Sequence, residues 1–151
     1  MPLLPLTDEL LRTTPFDAEC AALADRHYSR GTVGSNQFMG NGKKIVLRDT
    51  DGSVVFGWLW SEFRNDGQRG YNCAIFRNES DRVASATIQE AEGWALKEWG
   101  PNRAFTFIDP RAVPPTMVRS HPVWGWCFYK AGWHYDGLTN DGKHRLVKEL
   151  T

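Results

Sequence analysis

Apolar and polar residues follow two rhythms along this chain, and each change of rhythm marks an element. Phe16, Cys20, Leu23, Ala24 and His27 recur at helical spacing between Phe16 and Tyr28. Thr14 suits an N-cap, Pro15 a first helical position and Asp17 a first turn, so this helix should end around Ser29–Gly31. A glycine-rich loop runs from Gly31 to Gly42. Lys43 to Asp49 (KKIVLRD) then reads as a strand, and SVVFGWLWSE, after the turn DTDG, as a second. An Asp-Gly step between two β-rich runs is a strong hairpin signal. Beyond the turn NDGQRG, Tyr71 to Arg77 forms a third strand. Its imperfect alternation suits a central strand covered on both faces.

Ser80 to Trp99 carries the stripe Ala84, Ile88, Ala91, Ala95 and Leu96. It predicts the main helix, stopped by Gly100-Pro101. Arg103 to Asp109 reads as a strand, and Pro110 to about Pro122 as a proline-rich loop. WGWCFYKAG is a short helix ending at Gly132. WHYDGLT and HRLVKEL are two final strands joined by a turn at Asn140 to Lys143. Residues 1–15, punctuated by Pro2, Pro5 and Pro15, form an N-terminal arm, and 16–151 a single domain. The order α, β, β, β, α, β, α, β, β predicts an α+β domain with a mixed sheet and helices on both faces.

Composition narrows the classes. The 151 residues are 41% hydrophobic and 24% charged, and 18 basic residues balance 18 acidic ones. This suits one globular core and argues against a uniformly basic nucleic-acid coat, although a local basic groove remains compatible. Cys20, Cys73 and Cys127 form no CxxC pair, which fits reduced thiols in the cytoplasm better than a disulfide frame. The opening MPLLPLTDELLRTTP has too short an apolar run, and no early basic residue, for a secretory leader. No run approaches the roughly 18 apolar residues of a membrane span, so no membrane partner is expected. His27, His121, His134 and His144 stand apart, without metal-ligand spacing. Seven tryptophans serve either packing or a ring-stacking site.

Three segments bear on chemistry. RHYSR, Arg26 to Arg30, ends the first predicted helix. Arg26 and Arg30 share a face that suits a phosphate, or they are simply favoured by the helix dipole. IDPR, Ile108 to Arg111, ends a strand, where ligands of open sheets sit. Asp109 there either orients or deprotonates an acceptor amine, or merely starts an Asp-Pro turn. Basic residues also cluster as Arg26, Arg30, Lys43 and Lys44, and as Arg111, Arg119 and Lys130 around Trp124 and Trp126. Such interleaving suits an extruded base as well as an ordinary surface.

From Lys43 to Leu150 the chain resembles the GNAT superfamily of acyl-CoA-dependent transferases. The resemblance rests on RVASAT (Arg82 to Thr87) at a strand-to-helix junction, on FYKAGW (Phe128 to Trp133), and on IDPR paired with the latter. Ser85 stands where that family carries a glycine, and Thr87 where it carries a glycine or alanine, around the CoA pyrophosphate. IDPR, WCFYKAGW and RHYSR together look like the bacteriophage Mom-type DNA-modification proteins. The resemblance implies a three-layer, GNAT-like fold with a mostly antiparallel mixed sheet and helices on both faces. It also implies an acetyl-CoA or related acyl-CoA donor held by Arg77, Arg82 and Ser85. The acceptor, foremost the exocyclic amine of adenine in DNA, would meet Arg26, His27, Tyr28, Ser29 and Arg30. Asp109, Tyr28 and Tyr129 would be the catalytic groups, with Tyr129 as acid. The alternatives are acetylation of a small molecule or a protein, and a non-catalytic binding protein such as a phage-encoded inhibitor. The oligomeric state, monomer or homodimer, stays open.

Overall fold

A computed structural model describes residues 9–26 and 38–151. Its elements in chain order are β1 (Leu11–Thr13), α1 (Ala18–Asp25), β2 (Lys44–Arg48), β3 (Val54–Ser61), β4 (Gly70–Asn78), α2 (Ala84–Trp99), β5 (Asn102–Ile108), β6 (Thr116–Val118), β7 (His121–Val123), α3 (Trp126–Lys130), β8 (His134–Leu138) and β9 (His144–Leu150). Seven of these strands form one sheet in the order β1-β2-β3-β4-β5-β9-β8, with β4 and β5 its parallel pair. β6 and β7 form a separate ribbon.

The expected elements reappear with moved ends. The β2–β3 turn follows the Asp-Gly signal, and buried Asp49 anchors it by accepting the Ser53 and Val54 amides at 2.8 and 3.1 Å. The first helix starts at Ala18 rather than beside Thr14. Asp17 is its N-cap, with its carboxylate 3.0 Å from the Cys20 amide. The arm expected over 1–15 contributes β1, whose three residues pair with β2 at the sheet edge. The main helix begins at Ala84 and not at Ser80. Asn78 holds the preceding turn instead, accepting the Ser80 amide and donating to the Arg82 carbonyl. The stretch expected as a loop over 110–122 contains the β6–β7 ribbon, turned by Arg119 and Ser120, both at positive φ.

The expected three-layer α+β fold of GNAT type, with helices on both faces, is overturned. Strands make up 38% of the described residues and helices 22%. α2 and α3 pack on one face of the sheet, around Phe56, Trp58, Tyr71 and Leu146. On the other face, two-turn α1 covers only a patch over Val46, Val55 and Ile75. Over β5 that face is roofed by arginines: the Arg64 guanidinium lies 5.6 Å from the Phe105 ring centre and 5.1 Å from Phe107, and Arg103 lies 5.3 Å from Phe105. Phe105 is fully buried under these cations, with no helix among the described residues above it.

Polar groups tie the helices to the sheet. The Trp58 indole donates to the Ala91 carbonyl of α2 at 2.8 Å. Buried Glu92 accepts the Trp133 indole N–H at 3.0 Å and the Lys148 ammonium at 2.6 Å, and Lys148 also donates to the Ala131 carbonyl at 2.7 Å. One carboxylate on α2 thus locks the C-terminal end of α3 and strand β9. Among the described residues no helix is long and apolar enough to cross a membrane.

Candidate functional site

A cleft opens beside a β-bulge. Trp58 pairs with Cys73 but Gly57 pairs with Ile75, so β4 holds one more residue than β3 at this point. The extra residue bends and twists β4. It also shifts the strand's alternation, so the imperfect pattern of YNCAIFR reflects the bulge as well as coverage on both faces, with Tyr71, Cys73 and Phe76 on the α2 side and Ile75 on the α1 side. Before the bulge, β4 and β5 lie tightly together. A Cβ on Gly70 would fall 2.0 Å from the Arg103 carbonyl oxygen, and φ there is +116°, so only glycine fits. The parallel pairing then lasts for only two steps, Tyr71 with Ala104 and Asn72 with Phe105. At the next step the Thr106 hydroxyl reaches across to the Cys73 carbonyl at 2.9 Å. Beyond it the strands part.

The opening is a cleft of about 740 Å³. The second half of β4 forms one wall and Thr106–Ile108 of β5 the other. Ala84 at the start of α2, Cys127 and Phe128 of α3, and Pro114 close it further. Arg26 and Arg77 stand at its rim. The Glu79 carboxylate accepts from both guanidiniums, at 2.8 Å from Arg26 Nε, and Arg77 also donates to the Arg26 carbonyl at 2.8 Å. Arg26 first, and then Arg77, lowers the Glu79 carboxyl to about 2. The rim is therefore two fixed cations sharing one anion.

The structure brings together only some of the expected site residues. Arg26 and Arg77, one expected at the acceptor and the other at the donor, meet at the same rim. Arg82 and Ser85 do not line the cleft. Arg82 is largely buried, donating to Glu90 at 2.5 Å and to the Thr87 hydroxyl at 3.3 Å. Ser85 is half-buried in the first turn of α2. Asp109 does not line the cleft either. Its Oδ1 accepts the Arg111 amide and Nε, both at 3.0 Å, and its carbonyl accepts from Ala112 and Val113. Hydrogen bonding from Arg111 holds its carboxyl below the usual range, so Asp109 is a turn anchor and a weak base. Tyr129 is half-buried beside the Trp126 ring, with its hydroxyl pushed up by burial and by Tyr135. α3 instead turns Cys127 and Phe128 toward the cleft. His27, Tyr28, Ser29 and Arg30 lie outside the described residues.

Of the basic clusters, Lys43 lies over the Trp60 ring at 5.0 Å and Arg111 is engaged by Asp109. Among the described residues no three His, Cys, Asp or Glu side chains converge to hold a metal ion. All three cysteines are free thiols, and Cys73 and Cys127 line the cleft.

Sequence reasoning passed over Asn72, Thr106 and Lys143, which also line the cleft. One signal was present: an asparagine inside the otherwise apolar start of a buried strand. No protein-family model matches the chain, and no curated protein matches it in sequence.

Proposed function

We propose that this protein transfers an acyl group from a coenzyme A thioester, such as acetyl-CoA, to an amine, and that the amine is the exocyclic one of adenine in DNA. The observation that carries this reading is the parting of β4 and β5 after Asn72 and Phe105. An extended ligand bearing amides suits a gap between two strands, because it continues the ladder that the strands no longer make with each other. The anionic end of such a donor suits the rim. Arg26 and Arg77 supply charge-assisted donors, and Ala84 at the start of α2 lines the same cleft.

The acceptor follows from the state of Asp109, the candidate base among the described residues. Asp109 is held ionised by Arg111 and turned to structural use. An alkylamine is protonated near neutral pH and needs a strong base before it attacks. The adenine amine is already neutral and needs mainly orientation. DNA and CoA thioesters set this reaction in the cytoplasm, where the three thiols stay reduced.

Acetyl-CoA at a hundredfold excess over its dissociation constant should stabilise the protein by about 2.7 kcal/mol, and Arg77→Glu should abolish that gain. Plasmid DNA from bacteria expressing the chain, digested to nucleosides, should show a new adenosine-derived mass. No stabilisation together with unaltered nucleosides would refute the reading. A second reading is a binding-only protein, an inhibitor of another protein. The commitment of Arg82 to Glu90 favours it, and it predicts no response to acetyl-CoA.

A further inference from the structure

Asn72 sits at the apex of the cleft, in the last pair that β4 makes with β5. It is 6% exposed, and its side-chain oxygen Oδ1 is buried without a hydrogen-bond partner among the described residues. On either side of it Tyr71 and Cys73 pack into the apolar core beneath α2. A leucine would fill this position with no unmet polar group. An orphaned carbonyl here is therefore costly to the fold, and such local violations concentrate where a ligand completes the site.

We propose that Asn72 Oδ1 accepts an N–H of the acceptor amine and so orients it for attack. This rests on the transfer reading given above. Arg77 lies five residues beyond Asn72 along β4, which at about 3.3 Å per residue is roughly 17 Å. A donor whose phosphates meet the rim therefore lays its extended arm along the cleft, with the thioester near the apex. This requires the carboxamide of Asn72, which lines the cleft, to rotate so that Oδ1 faces that point. The amine nitrogen attacks the thioester carbonyl carbon. The C–N bond forms, and the C–S bond breaks with its electron pair going to sulfur. One amine proton ends on the departing thiol. The N–H held by Asn72 stays on nitrogen in the product amide. Asn72 gains and loses no proton; it fixes the direction of the nitrogen lone pair.

The test uses purified full-length protein, acetyl-CoA and an adenine-containing oligodeoxynucleotide, with products measured by mass spectrometry. Asn72→Leu should keep or raise Tm and leave the KM for acetyl-CoA unchanged. It should lower kcat/KM for the oligonucleotide at least tenfold. Asn72→Asp, isosteric and still an acceptor, should restore most of that rate. A fall in Tm for Asn72→Leu would show that the carboxamide serves the fold, through a buried water, and would overturn the proposal. An unchanged kcat/KM for the oligonucleotide would overturn it while leaving the transfer reading standing. A wild type that neither binds acetyl-CoA nor modifies the oligonucleotide removes both.

Discussion

Replacing Glu92 with alanine tests the network that holds the α3 wall of the cleft. Glu92 is 6% exposed and is the acceptor for both Trp133 and Lys148. Without it the Trp133 N–H, on a residue only 3% exposed, loses its partner, which costs about 1–3 kcal/mol. Breaking a fully buried ion pair costs about 3–5 kcal/mol. Here the figure is smaller, because the Lys148 side chain is 25% exposed and keeps the Ala131 carbonyl. The combined loss should be about 3 kcal/mol. With an m-value of about 2 kcal/mol/M in urea, the unfolding midpoint should fall by roughly 1.5 M with m unchanged. Tm should fall by roughly 6–12 °C. Glu92→Gln, which still accepts from the indole, should lose less. Glu92→Met combined with Lys148→Met should recover much of the loss, because no buried charge is then left alone. A midpoint shift for Glu92→Ala below about 0.5 M would refute the reasoning, by showing that water already satisfies the network.

Gly57→Ala would put a Cβ 2.5 Å from Met39 Sδ and 2.9 Å from Ile75 Cγ2; it should cost about 1–3 kcal/mol in urea unfolding, and an unaltered midpoint would show that the bulge tolerates the methyl group. Burial alone would raise the Asp17 carboxyl, but the Thr13 hydroxyl, the Cys20 amide and Arg48 outweigh it and bring the group to about 2. Its contribution, about 2 kcal/mol from the shift, is therefore present above pH ~4 and lost as pH falls toward ~2, and Asp17→Asn should flatten that acid limb of the stability curve. Burial, and next the Asp17 carboxylate, push the Cys20 thiol up to about 12, and burial raises Cys73 and Cys127 as well. Iodoacetamide at pH 8 should therefore spare Cys20 and Cys73 in the native protein, label half-buried Cys127 slowly, and label all three after denaturation. Acetyl-CoA should slow the Cys127 reaction further, because that thiol lines the cleft; equal rates with and without it, read by peptide mass spectrometry, would count against donor binding there.

Local chemistry made much of the sheet legible. HRLVKEL marked β9 to the residue, and the Asp-Gly step marked the β2–β3 turn because Asp49 and the residues after it satisfy each other without help from elsewhere. The start of α2 was misread because Asn78, four residues upstream of Arg82, holds that carbonyl in a turn. The β6–β7 ribbon was hidden because Pro114, Pro115 and Pro122 read as loop. Its turn, too, depends on positive φ at Arg119 and Ser120, residues that do not announce it. Arg26 and Arg77 were picked for separate roles. That they share Glu79 across 51 residues of sequence is a contact no periodicity carries.

The sequence by itself determined where most strands and helices lie, β1 and the β6–β7 ribbon excepted, since hydrophobic period and turn residues act within a few positions of one another. It also marked the arginines that reached the rim. The layering was decided only in three dimensions, because arginine stems can roof an aromatic surface that a helix was expected to cover. The cleft was too: a bulge exists only relative to the neighbouring strand, and Asn72 Oδ1 lacks a partner among the described residues only in the packed sheet, where β4 and β5 part after it.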